Sequence, residues 1–234
     1  RRAVGNAVEY AILEVTSEGI VQSRHKLIKF DAVVLTNVTP EHIEAHGSFE
    51  KYRAAKSKLF KALGRRGIAV LNRDDASCDF FQRHTRAKVN FYAKGGLTID
   101  GVWHPVRTLS HQKEIRFSIE GVEFHSRLFG AFNVSNILAA IAGAHSFGIS
   151  WQEAAKALEG ISGIPGRLEV VADRPLRVMV DYAHTPNALR SVYQVLKNAF
   201  PASSLICVLG AAGGGRDKWK RPELGKIAGE FCSE

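Results

Sequence analysis

Two short apolar runs, AILEV at 11–15 and AVVLT at 32–36, limit the fold more than any other feature of the chain. Each is too short for a stable helix and too uniformly apolar to leave one face in water. Such runs are the mark of parallel strands covered on both faces. GIAVLN at 67–72, RVMV at 177–180 and SLICVLG at 204–210 repeat the pattern, and helical stretches lie between them. The reading is therefore α/β, built from strand, loop and helix units. In open α/β sheets the sites form beyond the carboxyl ends of the strands, so Glu14 and the residues after Thr36 should converge on one crevice. A carboxylate there serves either as a metal ligand or as a helix cap.

The helix after the second run carries a lysine in an unexpected place. Ser48 is a good N-cap with Glu50 in the first turn. Phe49, Tyr52, Leu59, Phe60 and Leu63 form an apolar stripe, and at 3.6 residues per turn position 56 falls inside it. Lys51, Lys58 and Lys61 lie on the other face. A lysine directed at a core is costly unless it is paired, neutralised or chemically changed. The alternative is that Lys56 snorkels along the helix. His42 stands fourteen residues upstream, with Glu41, Glu44 and His46 around it. An imidazole and carboxylates beside a shielded amine suit a divalent metal, and a histidine capping a turn is the plainer reading.

Composition narrows the class. With 234 residues, 45% hydrophobic and 24% charged, the chain can bury one substantial core or two modest ones. No apolar run has the length of a membrane span, and the first ten residues lack the hydrophobic block of a signal peptide. Cys78, Cys207 and Cys232 are scattered without metal or disulfide spacing, which fits a reducing cytoplasm. The net charge of +9 is spread along the chain without an RNA-binding signature, so phosphorylated small molecules explain it and no nucleic-acid or membrane partner is expected. The chain has no initiator methionine, reads as a fragment, and contains no GxxxxGK[ST] phosphate loop.

Further motifs punctuate the rest. Asn72, Asp74 and Asp75 follow the strand at 67–72, a pattern that is more often a turn and cap than a ligand site. Residues 88–128 alternate in short stretches and read as a structural meander with a turn at Glu120-Gly121, its histidines (His104, His111, His125) solvated. Asn133 and Asn136 open a helix at its positive end, where they can cap it or meet a polar ligand. Arg167 follows Pro165-Gly166 at a bend, placed to reach a phosphate. Asp181, His184 and Thr185 follow another strand, and Pro186 suits a first helical turn. Gly210, Gly213, Gly214 and Gly215 form a glycine loop that is not a Walker loop, since no Lys-Ser or Lys-Thr follows.

The string from Asn37 to Phe60, together with GAFNVSN, DYAHTPNAL and the glycine loop, resembles the Mur ligases, ATP-dependent enzymes that add amino acids to the UDP-muramoyl peptide of bacterial cell walls. The spacing is most similar to the branch that adds the third residue. The resemblance implies a three-layer α/β ATP-binding domain with a mainly parallel sheet, P-loop NTPase-like and incomplete, over 1–173, and the start of a Rossmann-like C-terminal domain over 174–234. It implies ATP and Mg2+, with Glu14, His42 and Lys56 as the metal set and Lys56 N-carboxylated. Asn72, Asn133, Asn136, Arg167, Asp181 and His184 would serve ATP. Thr16, Ser17, Gln22 and Arg24 match the loop that holds the UDP-MurNAc-dipeptide, although Glu18 replaces its usual histidine. Arg216 matches the residue that meets the carboxylate of the free amino acid, and Gly215 replaces an aspartate of that loop. The implied protein is a cytoplasmic monomer. A cyanophycin or folylpolyglutamate synthetase and a non-catalytic nucleotide-binding relative are the alternatives.

Overall fold

The computed structural model describes residues 8–40, 46–110, 114–210 and 218–233. Its first elements are α1 (Ser17–Val21), β1 (Ala32–Val34), α2 (Phe49–Ala62), β2 (Ile68–Asn72), α3 (Cys78–Arg83) and β3 (Lys88–Ala93). β1, β2 and β3 pair in parallel, Ala32 opposite Ile68 and Asn72 opposite Tyr92. The two-residue period of a strand then divides the side chains between two cores. Ala69, Leu71 and Phe91 join Tyr52, Leu59 and Phe60 of α2 and Phe81 of α3. Val70 and Tyr92 point the other way, onto Val134, Ile137, Leu138 and Ile141 of α4 (Ala131–His145). This is the three-layer arrangement that the apolar runs predict.

The meander continues the same sheet. β4 (Gly96–Ile99), β5 (Val102–Ser110), β6 (Ile115–Ile119) and β7 (Val122–Ser126) follow β3 in sequence order and pair antiparallel, giving seven strands. The sheet is thus parallel from β1 to β3 and antiparallel beyond. Two-residue turns make this possible: Asp100 and Gly101 have φ of 57° and 81°, Glu120 and Gly121 of 48° and 75°. Positive φ at both central positions matches the twist of the flanking strands. α5 (Trp151–Glu159) packs beneath β7, its start fixed by a Ser150/Glu153 capping box.

The C-terminal unit is a hairpin of β8 (Glu169–Ala172) and β9 (Val178–Val180) with α6 (Pro186–Ala199) and α7 (Lys220–Phe231). Leu189, Val192 and Tyr193 of α6 and Leu224 and Ile227 of α7 form its core with Leu168, and Phe129 and Phe132 pack against it. The expected boundary at 173/174 lies in the turn between β8 and β9.

Three expectations fail. Residues 11–15 form no strand: Ile12 is 99% exposed and Leu13 52%. Among the described residues nothing pairs with them, and β1, bonded only to β2, is the sheet edge. Without a ladder partner an apolar run cannot hide either face. Residues 204–210 likewise join no ladder, and β9 pairs antiparallel with β8, with no parallel neighbour among the described residues. Finally, His104 is not solvated. Its Nδ1 lies 3.0 Å from Glu120 Oε1 and its ring 5.1 Å from that of Trp151, while His125 Nε2 lies 2.8 Å from Glu114 Oε2. β6 lies between β5 and β7, and the carboxylates just beyond its two ends, Glu120 and Glu114, meet His104 of β5 and His125 of β7; His111 lies outside the described residues. No helix among the described residues is long and apolar enough to cross a membrane.

Candidate functional site

Beyond the carboxyl ends of β1 to β3, polar side chains hold the loop that follows β1 in place. Asn72, 6% exposed at the end of β2, donates from Nδ2 to the Thr36 carbonyl (2.7 Å) and accepts from the Asp74 N–H (2.9 Å). Asp75 accepts from the Val38 N–H and the Ser77 N–H, both at 2.7 Å, and so ties the loop after β1 to the start of α3. Tyr92, 1% exposed, places its hydroxyl 2.9 Å from the Leu35 carbonyl and 3.1 Å from that of Thr36, with Ser135 of α4 also bonded to it. Burial, reinforced by the nearby Asp75 carboxylate, pushes its phenol far above the ordinary range, so it stays a hydroxyl. Asn72, Asp75 and Tyr92 therefore hold the backbone of the 35–38 loop. Tyr92 and Asp75 are the site residues whose roles the sequence conceals.

Helix α1 packs on α2. Thr16 caps α1 by accepting the Gly19 N–H (3.1 Å), and Ser17, 3% exposed, meets His46 Nε2 at 3.1 Å. The His46 ring lies 5.4 Å from that of Tyr52, and Lys56 Nζ lies 5.3 Å from the Tyr52 centroid. Ser17, His46, Tyr52 and Lys56 thus form one continuous row linking the expected substrate loop to the unusual lysine. Lys56 is half-buried among buried Tyr52, Ala55, Leu59 and Phe60, while Lys51, Lys58 and Lys61 are exposed. α1 ends in a Schellman turn with Ser23 at φ 60° and the Arg24 N–H on the Gly19 carbonyl (2.9 Å). This turn leaves the side chains of Gln22 and Arg24 exposed. Glu14 is also exposed, and His42 lies outside the described residues. Among the described residues no three His, Cys, Asp or Glu side chains stand close enough to hold a metal ion.

A cleft, about 390 Å³, opens at the start of α4 and is lined by Arg127, Phe129, Asn133, Ser162, Pro165 and Arg167 among others. Asn133 donates to the Phe129 carbonyl (2.9 Å) and accepts from Asn136 Nδ2 (3.3 Å), so the two asparagines act as a pair. Arg167 lies over the Tyr182 ring at 5.0 Å, and Tyr182 meets the His184 ring at 4.9 Å. His184 Nδ1 donates to the Tyr182 carbonyl at 2.9 Å. Asp181 accepts from the Leu168 N–H (2.9 Å) and the Ala183 N–H (2.7 Å), while Thr185 caps α6 ahead of Pro186. Of the residues expected to serve ATP, Asn133 and Arg167 line this cleft; Asp181 bonds the backbone of its Leu168, Asn136 bonds Asn133, and His184 reaches Arg167 through Tyr182. Asn72 is apart, sharing the Thr36 carbonyl with Tyr92. Arg127 and Arg167 both line this cleft, and guanidinium groups suit an anion. Arg127 carries no motif of its own; its position just before LFGAFN is the only sequence signal for it. Arg216 lies outside the described residues.

Comparison with known proteins adds an independent line. Residues 1–144 match the Mur ligase middle domain and residues 166–234 the Mur ligase glutamate ligase domain. The UDP-N-acetylmuramoyl-L-alanyl-D-glutamate--2,6-diaminopimelate ligase of Halalkalibacterium halodurans is 36% identical over 234 residues, covering 98% of this chain and 48% of that protein. Its counterpart in Lactiplantibacillus plantarum is 37% identical over 239 residues, covering 97% and 48%. A solved structure of a ligase of that name superposes with a TM-score of 0.64 at 30% identity, over 94% of this chain and 46% of the other. The MurF ligase of Thermotoga maritima, solved in complex with ADP, superposes with a TM-score of 0.69 at 22% identity, over 90% and 49%, a likeness of fold. The chain spans about half the length of the curated relatives it matches. With both family domains matched in order along a fold of the same kind, this chain belongs to the Mur ligase family.

Proposed function

We propose that this chain is the nucleotide-binding and amino-acid-binding part of an ATP-dependent ligase that joins meso-diaminopimelate or L-lysine to UDP-MurNAc-L-Ala-D-Glu in peptidoglycan synthesis. The observation that carries the reading is the likeness, over nearly the whole chain, to relatives bearing the name of that ligase. The cleft shared by Asn133 and Arg167 supports it chemically. A carboxylate is a poor acyl donor, so the γ-phosphoryl of ATP goes first to the terminal carboxylate. The amine of the incoming amino acid then attacks the acyl phosphate and phosphate leaves.

In this reading Arg167, with Arg127 beside it, takes up charge on the transferring phosphoryl group, where two anions must meet. Asn133, Asn136, Asp181 and His184 serve the nucleotide, and Asn72 shapes the adenine side of the crevice. Thr16, Ser17, Gln22 and Arg24 hold the UDP-MurNAc-dipeptide, and Arg216 the carboxylate of the amino acid. Glu14, His42 and N-carboxylated Lys56 would hold Mg2+, a donor set of oxygens and one imidazole that suits a hard cation. When bound, the ion would neutralise phosphate charge. The half-buried amine at the inner face of α2 supports a chemically modified lysine. We place the domain division at 173/174 and the protein in the cytoplasm as a monomer.

The test is Lys56→Ala in the full-length protein. Ligase activity should fall by orders of magnitude and return in part when short carboxylic acids are added to fill the place of the lost carboxylate. Full activity of the variant, or a loss that no carboxylic acid restores, would overturn the assigned role.

A further inference from the structure

Cys207 and Cys232 are 25 positions apart and show no motif, yet the fold brings them together. Along residues 205–208 burial alternates, with Leu205 and Cys207 half-buried and Ile206 and Val208 exposed. Ser233 anchors this segment to the end of α7, its N–H donating to the Leu205 carbonyl at 2.8 Å and its hydroxyl at 3.2 Å. Cys232 is the C-cap of α7, its N–H on the Ala228 carbonyl at 2.8 Å. Both cysteines pack on the cluster that holds Tyr193, on two segments joined by the Ser233–Leu205 hydrogen bonds. Burial, and then Cys207 itself, push the Cys232 thiol up to about 11. Both cysteines are free and part-exposed, whereas Cys78 is buried in the other core.

We propose that Cys207 and Cys232 are a reversible dithiol–disulfide pair, a redox modification site that covalently ties the 205–208 segment to the end of α7. The oxidant is a small-molecule disulfide such as oxidised glutathione. The Cys207 thiolate attacks one glutathione sulfur, forming a mixed disulfide and releasing one glutathione thiolate. The Cys232 thiolate then attacks the Cys207 sulfur and releases the second. The two protons leave with the two glutathione thiols, so the protein loses two hydrogens and one disulfide is reduced. The raised Cys232 thiol is mostly protonated at neutral pH, so the second displacement is the slower one.

The whole chain is equilibrated in buffers of increasing oxidised-to-reduced glutathione ratio, quenched with N-ethylmaleimide in denaturant so that buried Cys78 also reacts, and mapped by mass spectrometry. The expected result is a species with one alkylated cysteine, Cys78, and a peptide cross-link between Cys207 and Cys232 that dithiothreitol removes. Its thermal midpoint should rise by at least about 5 °C, since the bond closes a loop of some 25 residues in the unfolded chain. Cys207→Ala should abolish the cross-link and Cys78→Ala should preserve it; if either variant misfolds, the wild-type map still decides. Stable glutathione adducts at both positions, a bridge to Cys78, or three alkylated cysteines at every ratio would overturn the proposal.

Discussion

Gly130 is a position where one methyl group should do both steric and backbone harm. It is the N-cap of α4 with φ 94° and ψ 143°, a region almost closed to other residues, which costs about 1–3 kcal/mol when occupied by one. A Cβ built there would lie 2.9 Å from both Val195 methyls and 3.3 Å from Phe132 Cε1. Overpacking of that kind adds about 1–3 kcal/mol. Gly130→Ala should therefore destabilise the chain by about 2–6 kcal/mol, read as a lower urea midpoint followed by tryptophan fluorescence. Because Val195 sits on α6, the crowding belongs to the contact between the two halves of the molecule. Adding Val195→Ala should remove the crowding and leave the backbone strain, so the double variant should be more stable than the summed single costs by about 1–3 kcal/mol. A cost at Gly130 under about 0.5 kcal/mol, or strict additivity with Val195→Ala, would refute the reasoning.

Tyr92→Phe removes the hydroxyl shared by Leu35, Thr36 and Ser135 and should cost about 1–3 kcal/mol by urea unfolding, with faster amide exchange at Leu35 and Val38. An unchanged exchange pattern would show that Asn72 and Asp75 hold the loop without it. Acid should weaken the start of α5. The Ser150 hydroxyl, then its N–H, holds the Glu153 carboxyl below the usual range, and His125, then Arg116, does the same for Glu114. Since these folded values are depressed, the stability they add is present above the ordinary carboxylate range and is lost as pH falls through the lowered values. The melting advantage of the wild type over Glu153→Gln should thus shrink steadily between about pH 6 and pH 3; a constant gap would contradict the capping role.

Much of the local structure is legible in the residues themselves. Ser48 caps its helix as its position in the sequence predicts, and Glu120-Gly121 turns its hairpin; Ser150, Thr185 and Asp100-Gly101 act in the same local way. Each of these depends on partners within about four positions, so the instruction and its target travel together in the chain. The two-sided burial of β2 and β3 is equally readable, because strand period and apolarity suffice to demand a layer on either side. Lys56 stands apart from its neighbouring lysines for the same kind of reason.

Only the tertiary structure decided where distant groups meet. Tyr92 closes on Leu35 from 57 positions away, Arg127 enters the cleft with Arg167, Ser17 and His46 lead to Lys56, and Cys207 finds Cys232. It also decided which apolar runs become strands: 32–34 and 68–72 found ladder partners, 11–15 and 204–210 did not. A run of β-branched and aliphatic residues states that a segment fits a pleated, buried surface. Whether that surface is present depends on backbone donors and acceptors elsewhere in the chain, and no local pattern carries that information.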